Sequence, residues 1–358
     1  MQTIIIENGK DKVDVLYQQD IDSLKKEFSL RSKSIFVIDH KIFQNKQLKD
    51  ALVGSEENIF LIKDPELNKS FKVLEKILEF FHSKKLNRND TIFAVGGGAV
   101  TDLAAFAASI FKRGVNLTLI PTSLLAQVDA TIGGKTGINF HGIKNLIGSF
   151  YNPKKIIICT GFLSSLNDQE YLNGFSEIIK HSILKSSNEC LNLIENSEKI
   201  NSREETFLRE LIERSLKIKT NVISEDFKEK GQRKFLNFGH TFAHGIEYAN
   251  KENPVLHGHA VHIGMQMATE FSIQKKIISM EDYQICKDLF GLFGYDFTKI
   301  KLNAEEIFQA MKLDKKNESD KVTLILLKSI GSPVAVEVDD ENEFCLLYTS
   351  PSPRDNSG

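Results

Sequence analysis

Three histidines and a glutamate in the second half of the sequence have residue types suited to holding a metal ion. His240 and His244 are four residues apart, which places both imidazoles on one face of a helix, and His257 follows on the next predicted helix. Imidazole is the commonest protein ligand for zinc-like metals, and a catalytic metal usually takes three protein ligands. Glu177 offers an oxygen ligand on a further helix. The pattern predicts a catalytic metal site in which either His240 or His244 is a ligand and the other is available for acid–base chemistry.

Other residues in the same region leave the ligand set open. His259 and His262 follow closely, and not every imidazole in this stretch can bind one ion. The four-residue spacing of the first histidine pair lacks the glutamate of the His-Glu-x-x-His motif, so a metalloprotease of that type is not supported. Glu177 and Lys180 share a helix face, where the ordinary interpretation is a surface ion pair. The apolar residues around them favour partial burial instead.

A triple glycine in the first half, Gly96-Gly97-Gly98, lies between a predicted strand at 91–95 and a predicted helix at 101–112. Glycines there let the backbone approach a phosphate, which the amino end of the helix binds. A tight turn with no ligand explains the same residues equally well. The motif is not Gly-x-Gly-x-x-Gly, and Asp39 precedes the glycines, so the sheet is not wound like that of the common dehydrogenase domain.

Basic and amide side chains follow the triple glycine. The segment 129–139 is expected to be a loop, with three glycines around Lys135, and Lys144-Asn145 comes soon after it. Arg113 lies upstream of this segment. Such clustering suits an anionic substrate or cofactor better than an ordinary solvated surface.

The composition narrows the class of protein. With 358 residues the chain is long enough for two domains. A net charge of −2 with dispersed Lys and Arg gives no support for nucleic acid or an anionic membrane as partner. The four cysteines form no Cys-x-x-Cys pair, and the N-terminus carries no signal for export, so a cytoplasmic location is expected.

Two halves of different character predict the architecture. The first alternates strands with helices, which predicts an α/β domain with a Rossmann-like parallel sheet. After about residue 165 the segments have helical periodicity, which predicts an all-α second domain, with a short strand pair at 322–327 and 334–338. The expected domains are 1–165 for the cofactor and 166–344 for the metal and substrate. The Ser/Pro-rich residues 345–358 are expected to be a non-native tail from adapter read-through.

Together these segments resemble the 3-dehydroquinate synthases, members of the sugar phosphate cyclase family. The resemblance runs from about residue 39 to residue 338, and the shared motifs occur in the family's order. They are Glu66-x-x-Lys69, Gly-Gly-Gly-x-x-x-Asp102, Lys112-Arg113-Gly114, the segment from Pro121 to Asp129, Gly-Gly-Lys135, Lys144-Asn145, Gly174-x-x-Glu177-x-x-Lys180, Arg233-x-x-x-Asn237-x-Gly-His240-Thr-x-x-His244, His257-Gly258 and Asp314-Lys315-Lys316.

The resemblance implies an enzyme that depends on NAD and on a divalent metal, zinc or cobalt. The implied metal ligands are Glu177, His240 and His257. The residues implied to bind NAD are Asp39, Glu66, Lys69, Gly97, Gly98, Asp102, Thr122, Ser123, Asp129, Lys144, Phe162 and Ser165. Those implied to act on the substrate are Arg113, Lys135, Asn145, Lys180, Lys219, Arg233, Asn237, His244 and either Lys315 or Lys316.

The implied reaction converts 3-deoxy-D-arabino-heptulosonate 7-phosphate (DAHP) into 3-dehydroquinate and phosphate, on the shikimate pathway. It proceeds by transient oxidation, phosphate elimination, re-reduction and an intramolecular aldol closure. The family also implies a homodimer. One departure concerns His259, because the family usually has an acidic residue there, and the change can alter hydrogen bonding around the metal. The rival interpretations are a cyclase for another sugar phosphate, a metal-dependent alcohol or glycerol dehydrogenase, and a cofactor-binding protein without activity.

Overall fold

The protein is described by a computed structural model covering residues 2–8, 11–29, 33–226, 231–295, 300, 302–312 and 322–338. The chain splits into two compact units. Unit 1 comprises Met1–Tyr171 and Lys219–Phe227, and unit 2 comprises Leu172–Ile218 and Lys228–Gly358. The Asp314-Lys315-Lys316 triplet and the tail at 345–358 lie outside the described residues. Among the described residues, no helix is long and apolar enough to span a membrane.

Unit 1 is built on a seven-stranded sheet in the order β1-β2-β9-β6-β5-β3-β4. Strands β1 and β2 pair antiparallel, and the other neighbouring strands among the described residues of this sheet pair parallel. The predicted parallel-dominated α/β sheet is confirmed. The strands among the described residues of the unit are β1 Gln2–Asn8, β2 Asp11–Gln18, β3 Ser34–Asp39, β4 Ile59–Ile62, β5 Thr91–Gly96, β6 Asn116–Pro121, β7 Lys135–Phe140, β8 Ile143–Phe150 and β9 Lys155–Cys159.

The helices between the strands of this sheet, within the part of the chain that is described, are α1 Leu24–Phe28, α2 Lys46–Ala51, α3 Phe71–Ser83 and α4 Gly98–Ile110. The apolar residues of α3 recur at helical spacing and bury Leu74, Ile77 and Phe81. In contrast, α4 is made mostly of small buried residues, which suits a helix packed closely against the sheet. It begins at Gly98, three residues before the predicted start, so the last glycine of the triplet belongs to its first turn.

The loop expected at 129–139 is confirmed only for residues 131–134, and it is wrong for the residues from Lys135 onwards, which form a strand. A π-helical turn at Ala126–Ala130 is followed by β7 and β8, which pair as an antiparallel hairpin. Gly133 and Gly134, with φ of 100° and 64°, form the turn before β7. Gly137 allows close contact between the strands, because a Cβ there would lie 2.9 Å from the carbonyl oxygen of Ile147. Lys135, Lys144 and Asn145 all lie on this hairpin, where Asn145 takes a left-handed φ of 52° in the stretch in which the strand register shifts.

Unit 2 is predominantly helical, as predicted, and the expected strand pair is present as an antiparallel hairpin. A helical segment predicted around 170–200 is divided into three helices, because the Ser186 side chain accepts a hydrogen bond from the Glu189 amide and starts a new helix there. The elements are α5 Asp168–Lys185, α6 Ser187–Glu195, α7 Ser197–Asn201, α8 Glu205–Glu225, α9 His240–Ala249, α10 His257–Gln274, α11 Met280–Gly291, α12 Ala304–Lys312, β10 Val322–Ser329 and β11 Ser332–Val338. The first residues of α5 and the last turns of α8 belong to unit 1.

Candidate active site and metal centre

Three side chains of unit 2 form a group with the geometry of a metal site. Glu177 lies on α5, while His240 and His257 are the first residues of α9 and α10. One ligand atom from each lies within 4.8 Å of the other two. The His240 Nε2 atom is 3.5 Å from the Glu177 Oε1 atom. Tetrahedral bonds of about 2.1 Å place neighbouring ligand atoms roughly 3.4 Å apart, so these residues fit a zinc-like ion.

His244, the alternative ligand, is outside this group. Its ring centroid is 6.1 Å from that of His240 and 6.3 Å from that of His257. His244 therefore borders the three-residue group and is placed for contact with a bound molecule or for acid–base chemistry.

Each of the two histidines in this group has an acceptor oxygen near its Nδ1 atom. The Nδ1 atom of His240 is 3.3 Å from the carbonyl oxygen of Phe238. The Nδ1 atom of His257 is 3.5 Å from the Glu247 carboxylate. An acceptor at Nδ1 favours the tautomer that carries its proton there and leaves Nε2 for a metal. Sequence reasoning missed Glu247, although its place seven residues after His240 puts it two turns along the same face of α9.

A glycine sets the position of His240. Gly239, the N-cap residue of α9, has a φ of 77°. A Cβ at this position would lie 2.6 Å from the Met265 side chain and 2.7 Å from its amide nitrogen. Only glycine combines the left-handed backbone with this approach to α10, so the short spacing between Asn237 and His240 depends on it.

The interpretation of Glu177 and Lys180 as a surface ion pair is wrong. The two side chains form an ion pair while only 0% and 2% exposed. Two charges that leave water together require each other, because removing either leaves the other buried and unpaired. Arg233 is also buried, and it lies with Asn237 on the helical turn Gln232–Asn237 that precedes α9.

His259 and His262 form a separate buried cluster with Tyr295. The His262 ring stacks on the Tyr295 ring with centroids 3.9 Å apart, and His259 lies 5.3 Å from the same ring. Neither histidine belongs to the three-residue metal group. Burial, followed by the charge of His259, lowers the pKa of His262 to about 3.

The buried His262 predicts a dependence of stability on pH. In the unfolded chain its pKa is about 6.5, so below that pH the unfolded state takes up a proton that the folded state refuses until about pH 3. We expect this residue to make folding less favourable as pH falls from 6.5 towards 3, by up to about 1.4 kcal/mol per pH unit. His262→Phe, which keeps a ring against Tyr295, should remove this component. Urea unfolding of both proteins at pH 7.5, 6 and 5 measures it, and parallel pH profiles would contradict it.

In unit 1, Lys69 is the centre of a polar network. Its ammonium is 2.6 Å from the Asp102 carboxylate and donates to the Asn145 side-chain oxygen. The backbone N–H of Asn145 donates to the side-chain oxygen of Asn139 over 3.0 Å. Asn139 in turn donates to Glu66 over 3.3 Å. The network brings together predicted site residues from the segment before α3, from α4 and from the β7–β8 hairpin.

Lys69 provides a stability prediction. Its side chain is 4% exposed and that of Asp102 is 20% exposed. Lys69→Ala leaves a largely buried carboxylate without its counter-charge, and we expect a loss of about 3 kcal/mol in the free energy of unfolding. The control is Lys217→Ala, which breaks the Lys217–Glu213 pair, in which Lys217 is 59% exposed and the expected loss is below about 1 kcal/mol. Equal losses in urea denaturation would contradict the buried-pair interpretation.

The triple glycine forms the turn between β5 and α4. Gly97 is the N-cap residue of α4 and provides no side-chain cap, so the amino end of the helix is not covered by its own sequence. A Cβ at Gly97 would lie 3.5 Å from the Ser123 hydroxyl, and Thr122 donates its amide to the carbonyl of Gly96 over 3.0 Å. Glycines, Thr122 and Ser123 thus lie together at the carboxyl ends of β5 and β6.

The remaining predicted residues of unit 1 lie at several places. Lys219 pairs with the Asp129 carboxylate over 2.8 Å. Asp39 ends β3, the strand beside β5. Arg113, Lys135 and Lys144 are exposed. Phe162 belongs to the hydrophobic core of the unit, and its carbonyl oxygen accepts a hydrogen bond from Ser165. Lys315 and Lys316 lie outside the described residues.

The structural class follows from comparison with solved structures. The crystal structure of 2-deoxy-scyllo-inosose synthase, complexed with carbaglucose-6-phosphate, NAD⁺ and Co²⁺, matches with a TM-score of 0.85. The alignment covers 97% of this chain and 99% of that chain at 22% sequence identity. The two chains therefore share the same fold.

The particular family follows from the sequence. The 3-dehydroquinate synthase N-terminal family matches residues 59–173, and the corresponding C-terminal family matches residues 174–317. The 3-dehydroquinate synthase of Pelagibacter ubique is 40% identical over 314 residues, which cover 85% of this chain and 84% of that protein. The enzyme of Campylobacter curvus is 38% identical over 320 residues, covering 89% and 91%. The chain belongs to the 3-dehydroquinate synthase family, and the resemblance inferred from the motifs is confirmed.

Proposed function

We propose that this chain acts as a 3-dehydroquinate synthase, a phosphate-eliminating lyase that forms 3-dehydroquinate and phosphate from DAHP with the help of NAD and a divalent metal. The observation that carries the proposal is the Glu177, His240 and His257 group, whose spacing fits a metal ion, in a chain of this family. The related 2-deoxy-scyllo-inosose synthase was solved with NAD⁺ and Co²⁺, which supports the same two cofactors here.

Each unit has its own proposed task. The glycine turn of unit 1, with Thr122 and Ser123, binds the NAD phosphates, and Asp39, Lys69, Asp102 and Asp129 orient the rest of the cofactor. Glu177, His240 and His257 of unit 2 hold zinc or cobalt. When bound, the metal polarises a substrate hydroxyl as a Lewis acid, and NAD accepts and then returns a hydride.

The substrate carries a carboxylate and a phosphate, which explains the number of cationic and amide side chains proposed to contact it. Lys180 and Arg233 are buried, and a buried cation attracts an anionic group more strongly than a solvated one. Asn145 and Asn237 supply neutral donors that orient without adding charge. His244, beside the metal group, is proposed to move a proton near the phosphate leaving group. In the elimination a base removes the C–H proton next to the transient ketone as phosphate leaves, and the substrate phosphate is the alternative base for that proton.

The decisive test is phosphate release from DAHP by the purified chain in the presence of NAD. Release should stop after chelation, return when zinc or cobalt is added, and occur without accumulation of NADH. Net NADH production from an alcohol would identify a dehydrogenase instead. A folded, NAD-binding protein that releases no phosphate from DAHP would favour a cyclase for another sugar phosphate or an inactive protein.

Two further expectations of the family remain proposals. We place the enzyme in the cytoplasm and expect it to be a homodimer. Light scattering during size-exclusion chromatography measures the second, with a monomer mass of 40.4 kDa as reference.

A further inference from the structure

The helix that carries His257 begins without a cap from its own sequence. The N-cap residue of α10 is Leu256, whose side chain makes no cap hydrogen bond. The first amides of a helix have no partner within the helix, and the amide two residues after the N-cap is one that a cap residue ordinarily satisfies. In α10 that amide belongs to Gly258, the neighbour of His257.

Another helix supplies the missing acceptor. The Asn173 side-chain oxygen on α5 accepts the Gly258 amide over 2.6 Å, and both residues are buried. The two helices touch at this point, because a Cβ on Gly258 would lie 1.8 Å from the carbonyl oxygen of Asn173. Glycine is thus required at 258 for the approach that makes the hydrogen bond possible.

This contact joins the two helices that bear metal ligands. On α5, Glu177 follows Asn173 by one helical turn, a rise of about 6 Å, and lies on the same face. On α10, His257 directly precedes Gly258. A shift of the amino end of α10 along α5 would therefore change the distance between the Glu177 carboxylate and the His257 imidazole.

A second set of hydrogen bonds contacts the same stretch of α5. The Tyr295 hydroxyl donates to the carbonyl oxygen of Leu172 over 2.9 Å and bonds the Ser176 hydroxyl over 2.9 Å. Leu172 and Ser176 flank Asn173 on α5. Since the Tyr295 ring stacks on His262 of α10, the tyrosine also joins the two helices. The register of α5 against α10 is thus fixed on both sides of the Asn173 contact.

We propose that Asn173 is a positioning residue for the metal centre: by capping α10 from α5, its amide oxygen fixes His257 relative to Glu177. The inference rests on the proposed metal-dependent function. It assigns Asn173 no contact with metal or substrate, and it gives a physical reason for the glycine after His257.

The test measures Co²⁺ binding to the metal-stripped full-length protein by calorimetry and by the visible absorption of bound Co²⁺. Loss of a residue that orients a metal ligand typically weakens metal affinity about 10–100-fold, which is the expected result for Asn173→Ala. Asn173→Asp keeps an acceptor oxygen and should retain most of the affinity and the absorption spectrum. The control, Ser279→Ala, removes the cap of α11, which bears no ligand, and should leave Co²⁺ binding unchanged.

The outcomes separate the possibilities. Wild-type affinity and spectrum in a folded Asn173→Ala protein would overturn the proposal, and so would equal loss in the alanine and aspartate variants. If the alanine variant does not fold, the aspartate variant decides, since retained binding supports the capping role and loss of binding in a folded protein contradicts it. Failure of the wild-type protein to release phosphate while it binds Co²⁺ would contradict the proposed reaction, and the comparison of variants would still stand.

Discussion

Replacement of His257 by alanine is expected to abolish phosphate release from DAHP while the protein stays folded and binds NAD. The variant removes one of three groups whose ligand atoms lie within 4.8 Å of one another. Metal polarisation contributes several kcal/mol to a reaction of this kind, and a loss of about 4 kcal/mol corresponds to a rate roughly 10³-fold lower. NAD binding should survive because the residues proposed for it lie in unit 1, whereas His257 lies in unit 2.

The measurement compares steady-state phosphate release, Co²⁺ affinity and NAD affinity in the variant and the parent. His82→Ala is the matched control, since His82 is an exposed histidine near the end of α3 and should change none of the three. Full activity in the His257 variant would remove the metal assignment. Loss of folding can be recognised by circular dichroism, and Glu177→Gln then provides a second test of the same group.

The fold was largely predictable from local patterns. Buried strands such as β5 consist mainly of consecutive apolar residues, and the apolar residues of α3 recur with helical period. The type of each element can therefore be predicted from a short stretch of its own sequence. The hairpin of β7 and β8 was missed because its glycines have the composition of a loop. Their role, close contact between Gly137 and Gly148 across the two strands, depends on a partner that the local sequence does not reveal.

The candidate site was predictable to a different degree. Residue type and spacing suggested Glu177, His240 and His257 as metal ligands, but they left His244 an equal candidate to His240. The structure distinguishes the two, because the group of close ligand atoms includes His240 and not His244. The orienting contacts of Glu247 and Asn173 could not be read from spacing alone, since they join separate helices. Burial of the Glu177–Lys180 pair was also undetermined, because an i,i+3 pair has the same sequence pattern on a solvated and on a buried helix face.

Lys180→Met is expected to lower kcat/KM for DAHP by about 10²–10³-fold, the range typical of losing one preorganised charged or polar donor. Methionine keeps much of the length of the side chain and removes its charge. Lys185→Met on the same helix is the control, because Lys185 is exposed and near the carboxyl end of α5. Similar kinetic losses in both variants would contradict a specific role for Lys180.

A second measurement distinguishes a substrate role for Lys180 from a purely structural one. Its partner Glu177 is fully buried, so the variant without metal retains an uncompensated carboxylate, which we expect to cost about 3–5 kcal/mol of stability. A divalent ion neutralises that carboxylate, and a ligand that binds the folded state stabilises it. Zinc should therefore raise the melting temperature of Lys180→Met more than that of the parent. If zinc restores stability and activity together, Lys180 is only a counter-ion; if stability returns and phosphate release does not, the lysine acts on the substrate, as we propose.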